Sequence, residues 1–134
     1  MTILELGASV LQRIRSEAEA RYPEEACGLL LGREQGQVLE ALAMANQAED
    51  RRRAYLIDPE QHLRTELRAR ERGLTVIGVW HSHPDGRPVP SVTDTESAWP
   101  DWHYVIAAVE AGQAREIRAW MLRESRFEEE VIHP

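Results

Sequence analysis

Only one cysteine, Cys27, stands in the 134 residues, so no disulfide can form within the chain and nothing in it calls for an oxidising compartment. An excess of positive charge is also missing: 16 basic against 23 acidic side chains leave −7 with the histidines neutral. A field of that sign argues against nucleic acid as the partner, although a local patch could still bind it. Long apolar runs are absent. The longest, Leu74–Trp80 and Tyr104–Val109, fall far short of the ~20 residues that span a bilayer. The first ten residues carry no basic flank before their short apolar stretch, which speaks against a cleaved signal peptide. A soluble, cytoplasmic protein without a membrane partner is the expectation. No internal repeat and no linker-like stretch breaks the chain.

What is present suits one α/β domain. Hydrophobic residues make up 43% and charged residues 29%. A chain of this size buries roughly two thirds of its extended surface and holds a core without staples. Ile3–Leu6 reads as a short first strand ended by Gly7. Val10, Leu11, Ile14 and Ala18 recur at helical spacing, which predicts a helix over about 9–21, with Ser9 able to cap it and Pro23 closing it. Cys27–Gly32 reads as a buried strand and Val38–Ala45 as its partner, with Gly36 in the turn. Asn46–Arg53, with three consecutive arginines, reads as a solvated loop. Asp58-Pro59 starts a second helix, with Leu63 and Leu67 on its buried side and Gly73 at its end. Thr75–Trp80 is a strong strand running into His81-Ser82-His83. Three prolines and a glycine between Pro84 and Pro90 exclude regular structure there. Ser91–Ser97 suits a short helix, Trp102–Val109 and Arg115–Leu122 suit strands, and Phe127–Ile132 an edge strand or tail.

His81-Ser82-His83 carries the chemistry. Residues two apart on a strand point the same way, so both imidazoles can address one metal. Zinc takes histidine nitrogen and carboxylate oxygen and keeps one position for water when the site is catalytic. Asp94, Asp85 and Asp101 are the candidate third ligands, and spacing does not choose among them. A hydrolytic site also needs a base, for which Glu24 and Glu25, just ahead of the Cys27 strand, are candidates. Cys27 itself reads as a buried core thiol that could line the site. His103 reads as structural, His62 as exposed and His133 as disordered. Trp80, Trp99, Trp102 and Trp120 are core candidates, with Trp99 placed to border a groove.

Read together, these segments resemble the JAMM, or MPN-plus, zinc metallopeptidases, and in particular their small stand-alone prokaryotic members. The family pattern is an upstream glutamate, then His-x-His, seven residues, Ser, two residues and Asp. Here it is His81-Ser82-His83, seven residues, Ser91, two residues and Asp94, with Glu25-Ala26-Cys27-Gly28 upstream. The resemblance spans about residues 7–122 and departs at no motif position. It implies an MPN fold, a mixed β-sheet flanked by helices and cytidine-deaminase-like, over residues 1–134 as a single domain, with about 123–134 an edge strand or flexible tail. It implies that His81, His83 and Asp94 hold one Zn2+ with water as fourth ligand. It implies that Glu25 is the general base and that Ser91 donates to the oxyanion.

The resemblance further implies hydrolysis of the amide or isopeptide bond after the C-terminal Gly-Gly of a ubiquitin-like sulfur-carrier protein or its conjugate. A zinc amidohydrolase acting on small peptides or cell-wall fragments and an idle MPN-type binding module are the competing readings. The net negative charge stands against an acidic carrier unless the contact face is locally neutral or basic. A homo-oligomer is compatible with the sequence.

Overall fold

The computed structural model describes residues 2–33 and 36–134. Their elements run β1 (Ile3–Leu6), α1 (Ala8–Arg21), β2 (Cys27–Arg33), β3 (Gln37–Met44), α2 (Pro59–Glu71), β4 (Thr75–Pro84), α3 (Val92–Ser97), β5 (His103–Glu110), β6 (Gln113–Arg123) and β7 (Arg126–His133). The strands follow the order β1-β3-β2-β4-β5-β6-β7 and close through a parallel β7–β1 pair. The sheet is mixed: β4 runs parallel to β5 and antiparallel to β2.

Side-chain alternation splits the interior in two. Leu30, Trp80, Val105 and Ala107 meet Val10, Ile14 and Ala18 of α1 on one face. Leu29, Leu31, Val76, Val79 and Tyr104 meet Ala69 of α2 on the other. Because both faces are covered, β2 is an unbroken apolar run rather than an alternating one. Gly28 permits this packing. A Cβ there would stand 1.8 Å from the Leu42 carbonyl oxygen and 2.3 Å from Trp80 Nε1, and the indole donates to that carbonyl at 3.1 Å.

Several expectations are corrected. The first helix begins one residue earlier, with Gly7 and not Ser9 at its N-cap. Part of the predicted β2–β3 turn, residues 34 and 35, lies outside the described residues; Gly36 in the same turn has φ +76°. Leu63 and Leu67 are 59% and 52% exposed instead of buried. The cause is polar: the Glu66 carboxylate accepts from Thr75 Oγ1 and Val76 N, both at 2.7 Å, and so turns the opposite side of α2 to the sheet. The C-terminal stretch is neither an edge nor a tail, because β7 pairs with both β6 and β1, and His133 lies opposite Glu5. His62 is half-buried, edge-on to Trp102. Of the four tryptophans only Trp80 is fully buried, and Trp99 is 61% exposed. His103 behaves as a structural residue: its Nδ1 donates to Glu130 at 2.6 Å, tying β5 to β7. No helix among the described residues is long and apolar enough to cross a membrane.

Candidate metal centre

β4 continues past Trp80 because β5 pairs with it to the end, His81 opposite Ile106 and His83 opposite Ala108. Both histidines therefore sit at the carboxyl end of a parallel strand pair, a usual place for a site in α/β sheets. Their rings meet at 4.9 Å, with the two Nε2 atoms 3.1 Å apart.

Ser82 points the other way and fixes the neighbouring strand. Its Oγ accepts from Ala26 N at 2.8 Å and its own N donates to Ala26 O at 3.0 Å. Ala26 follows Glu25, so this clip brings a glutamate 56 positions upstream to the histidines. Ligand atoms of Glu25, His81 and His83 all lie within 4.8 Å of one another, a cluster able to hold a metal ion. Two further bonds seat Glu25: its N donates to Arg51 O at 2.7 Å, and Asn46 Nδ2 donates to its carbonyl at 3.0 Å.

The proline-rich loop delivers the second carboxylate. Ser91 caps α3, and Asp94 sits at the third helical position in a reciprocal capping box. Asp94 Oδ2 lies 3.1 Å from His81 Nε2 and 3.0 Å from His83 Nε2. Neither alternative aspartate takes this place. Asp85 accepts from Tyr22 Oη and Ala111 N, and Asp101 N donates to Leu122 O on a different strand. Glu24 turns outward to an exposed pair with Arg51.

The electrostatics are those of a buried cluster. Burial pushes Glu25 up to about 8, with the His83 charge opposing and Asp94 assisting. Burial also raises Asp94, but hydrogen bonds from His81 and His83 outweigh it and hold its carboxyl far below the usual range. Burial lowers His81. It acts the same way on His83, where the bonds to Asp94 and to the Arg87 carbonyl prevail and raise it. The Arg87 carbonyl stands 2.7 Å from His83 Nδ1 and fixes the ring with Nε2 toward the cluster. Cys27 is buried and its thiol is pushed up to about 12, which fits an inert core thiol.

Sequence reasoning missed four contributors. Ser82 is the strand clip. Asn46 saturates its amide, bonding Glu25 O, Ala54 O, Ala48 N and Leu56 N, which gives the supposed solvated loop a fixed shape. Tyr55 stacks on His81 with centroids 4.5 Å apart. Arg87 acts through its carbonyl, which no side-chain pattern reveals. The asparagine opening a loop was the one readable signal.

A cavity of about 160 Å3 opens beside Asp94, walled by Tyr55, Leu56, His62, Trp99 and Trp102. A larger open depression near Asp101, Arg123 and Phe127 is lined by no histidine.

Comparison with known proteins is consistent with this geometry. Residues 7–123 match the family described as prokaryotic homologs of the JAB domain. The chain is 36% identical over 102 residues to a desampylase of Haloferax volcanii, covering 75% of this chain and 73% of the relative. It is 26% identical over 132 residues to the CysO-cysteine peptidase of Mycobacterium tuberculosis, covering 98% and 90%. A solution structure from Desulfitobacterium hafniense superposes with a TM-score of 0.85 at 26% identity, over 98% of this chain and 92% of that one. A JAB1/MPN domain protein from Archaeoglobus fulgidus shares the fold, with a TM-score of 0.59 at 19% identity over 98% of each chain.

Proposed function

Because the chain belongs to the prokaryotic JAB family of JAMM/MPN zinc metallopeptidases, we propose that it hydrolyses the amide or isopeptide bond after the C-terminal Gly-Gly of a ubiquitin-like sulfur carrier. His81, His83 and Asp94 hold one zinc ion, Glu25 is the general base and Ser91 is the oxyanion donor. The relatives carry the substrate: one is named a desampylase and another a CysO-cysteine peptidase. Residues 1–134 act as one domain, in the cytoplasm, on the wider cytidine-deaminase-like plan.

One observation carries the reading: Asp94 Oδ2 and two histidine Nε2 atoms form a triangle with sides of 3.0–3.1 Å. Three ligand atoms each 2.0–2.1 Å from a tetrahedral zinc stand about 3.3 Å apart, so the donor set fits that ion. A second feature agrees. Among the described residues, the buried side-chain polar atoms without a hydrogen-bond partner are Glu25 Oε1 and His81 Nδ1, both in this cluster.

Zinc, when bound, supplies Lewis acidity, lowering the pKa of water and polarising a carbonyl. The protein supplies the rest. Glu25 Oε1, free of other bonds, takes a proton and returns it to the leaving amine. Glu25 is buried beside both histidines, so its carboxylate is placed both to take the proton from water and to hand it on. Ser91 Oγ already accepts from Asp94 N, so its own proton is free to donate to the carbonyl oxygen as charge develops there.

The test is metal analysis joined to cleavage. Protein purified without chelator should carry about one zinc per chain. Glu25→Gln should keep that zinc and lose cleavage of a Gly-Gly adduct. A fully active Glu25→Gln variant removes the base assignment. Preference for simple peptides over the carrier adduct removes the carrier assignment, and stoichiometric binding without cleavage removes the enzyme.

A further inference from the structure

No step of the hydrolysis uses the cavity beside Asp94. Its floor is made of three cross-strand neighbours: Leu29 of β2 lies opposite Val79 of β4, and Val79 opposite Tyr104 of β5. All three are buried, whereas Leu56 and Trp99 at the rim are 53% and 61% exposed. The cavity is therefore closed at the sheet and open to solvent. Its aromatic wall is braced from within the protein. Trp99 stacks on Trp102 at 6.0 Å, His62 meets Trp102 edge-on, and Trp99 N donates to Tyr104 Oη at 2.7 Å.

At about 160 Å3 the cavity is smaller than the ~300–1,000 Å3 of sites that hold whole small-molecule ligands, and it suits one side chain. That side chain must be apolar. Among the described residues that line the cavity there is no arginine, lysine or glutamate, and Asp94 turns Oδ2 to the histidines. A charged side chain would lose its hydration against Leu29 and Val79 without gaining a partner. The strand sets the position. Val79 stands two residues before His81 and shares its face, so the floor lies ~6.6 Å along β4 from that histidine. Two extended residues of a substrate span about the same distance, ~7 Å. In a tail ending in Gly-Gly those two residues have no side chains, so the first side chain able to enter comes from just upstream. The lysine chain of an isopeptide leaving group fits less well. It ends in the scissile amide on one side and in backbone on the other, while the cavity is closed at its floor.

We propose that this cavity is a specificity pocket that takes an apolar side chain from one of the two residues directly before the carrier's Gly-Gly, with Trp99 and Trp102 as its specificity-determining wall. This rests on the carrier reading above and adds which part of the tail is read and by what chemistry. Floor and wall bury the apolar side chain, and that anchor lays the two glycines across the gap to the histidines. Binding energy gained away from the reacting bond is in this way used to place the scissile carbonyl.

The experiment uses zinc-loaded protein and one ubiquitin-like sulfur carrier altered in its tail alone, joined through its Gly-Gly to the same reporter amine throughout. The two residues before Gly-Gly are leucines in one substrate and serines in the other. Wild type should favour the leucine tail at least about tenfold in kcat/KM, the scale of one apolar side chain entering a pocket. Trp99→Ala removes the rim, and Ser97→Phe, from the exposed end of α3, narrows the mouth of the same cavity. Each variant should keep about one zinc per chain and bring the preference below about threefold. Equal kcat/KM for the two tails, with wild type active on both, overturns the pocket alone, and so does a leucine preference that both variants retain. A preference that follows the side chains around the reporter amine instead of the tail assigns the cavity to the leaving group and likewise overturns the proposal. A wild type that binds zinc and cleaves neither substrate overturns the proposed function and the pocket together.

Discussion

Ser91 and Asp94 hold each other through two hydrogen bonds, Asp94 N to Ser91 Oγ at 3.0 Å and Ser91 N to Asp94 Oδ2 at 2.9 Å. The oxygen that Ser91 N binds is the one facing both histidines. A helix cap therefore doubles as the orienting support of a proposed metal ligand.

The two residues should separate on mutation. Asp94→Ala should lose zinc, measured by elemental analysis. Ser91→Ala keeps the backbone N–H that steadies Asp94, so zinc should stay while kcat falls roughly 10^2–10^3-fold, the scale of one oxyanion donor. Unaltered turnover in Ser91→Ala would reduce the serine to a cap, whose loss costs about 1 kcal/mol of stability.

The raised pKa of Glu25 makes metal-free stability depend on pH. Its ordinary value is 4.5 and its folded value about 8, so the folded state keeps a proton that the unfolded chain releases. The stabilisation from that retained proton is full below pH 4.5 and is lost as pH rises through 8. Glu25→Gln has no such proton. In chelator-treated protein, urea unfolding should show Glu25→Gln gaining on wild type from pH 4.5 to 8, by up to about 5 kcal/mol. A constant difference across that range would contradict the buried, proton-holding Glu25.

Ser82 makes a prediction about strand clipping. Ser82→Ala leaves the buried Ala26 N without its 2.8 Å partner. The expected cost is about 1–3 kcal/mol in denaturant unfolding, and kcat should fall as well because Ala26 adjoins Glu25. A loss of stability with unchanged kcat would separate the clip from catalysis.

Gly28 is intolerant of a side chain. Gly28→Ala would drive a Cβ into the Leu42 carbonyl oxygen and the Trp80 indole. β2 and β3 must then part or the indole must move, at a cost above about 3 kcal/mol. Urea unfolding followed by tryptophan fluorescence reads this directly, and wild-type stability would show that the packing can relax.

Much of this arrangement was legible in the sequence, for identifiable reasons. His81 and His83 share a face because strand periodicity is two, and Asp58-Pro59 opens a helix through its cap, Asp58 accepting from Glu60 N. The choice of Asp94 over Asp85 and Asp101 was not legible from spacing. It depends on the path of the loop between Pro84 and Pro90, which local propensity does not encode. The orientation of α2 is not legible in a hydrophobic pattern, where two leucines at helical spacing outweigh one glutamate, yet Glu66 bonds the start of β4 and sets the rotation. β7 reads locally as an edge strand or a tail because its partner β1 lies at the opposite end of the chain, a pairing no local window contains.

The most direct measurement is the mass of the products when zinc-loaded protein meets a carrier joined through its Gly-Gly to a reporter amine. The account predicts a carrier ending in a free Gly-Gly carboxylate plus the intact amine, abolished by Glu25→Gln and by chelator and restored to the chelated wild type by zinc. An uncut adduct in the presence of one bound zinc per chain, or cutting that survives Glu25→Gln, would contradict it.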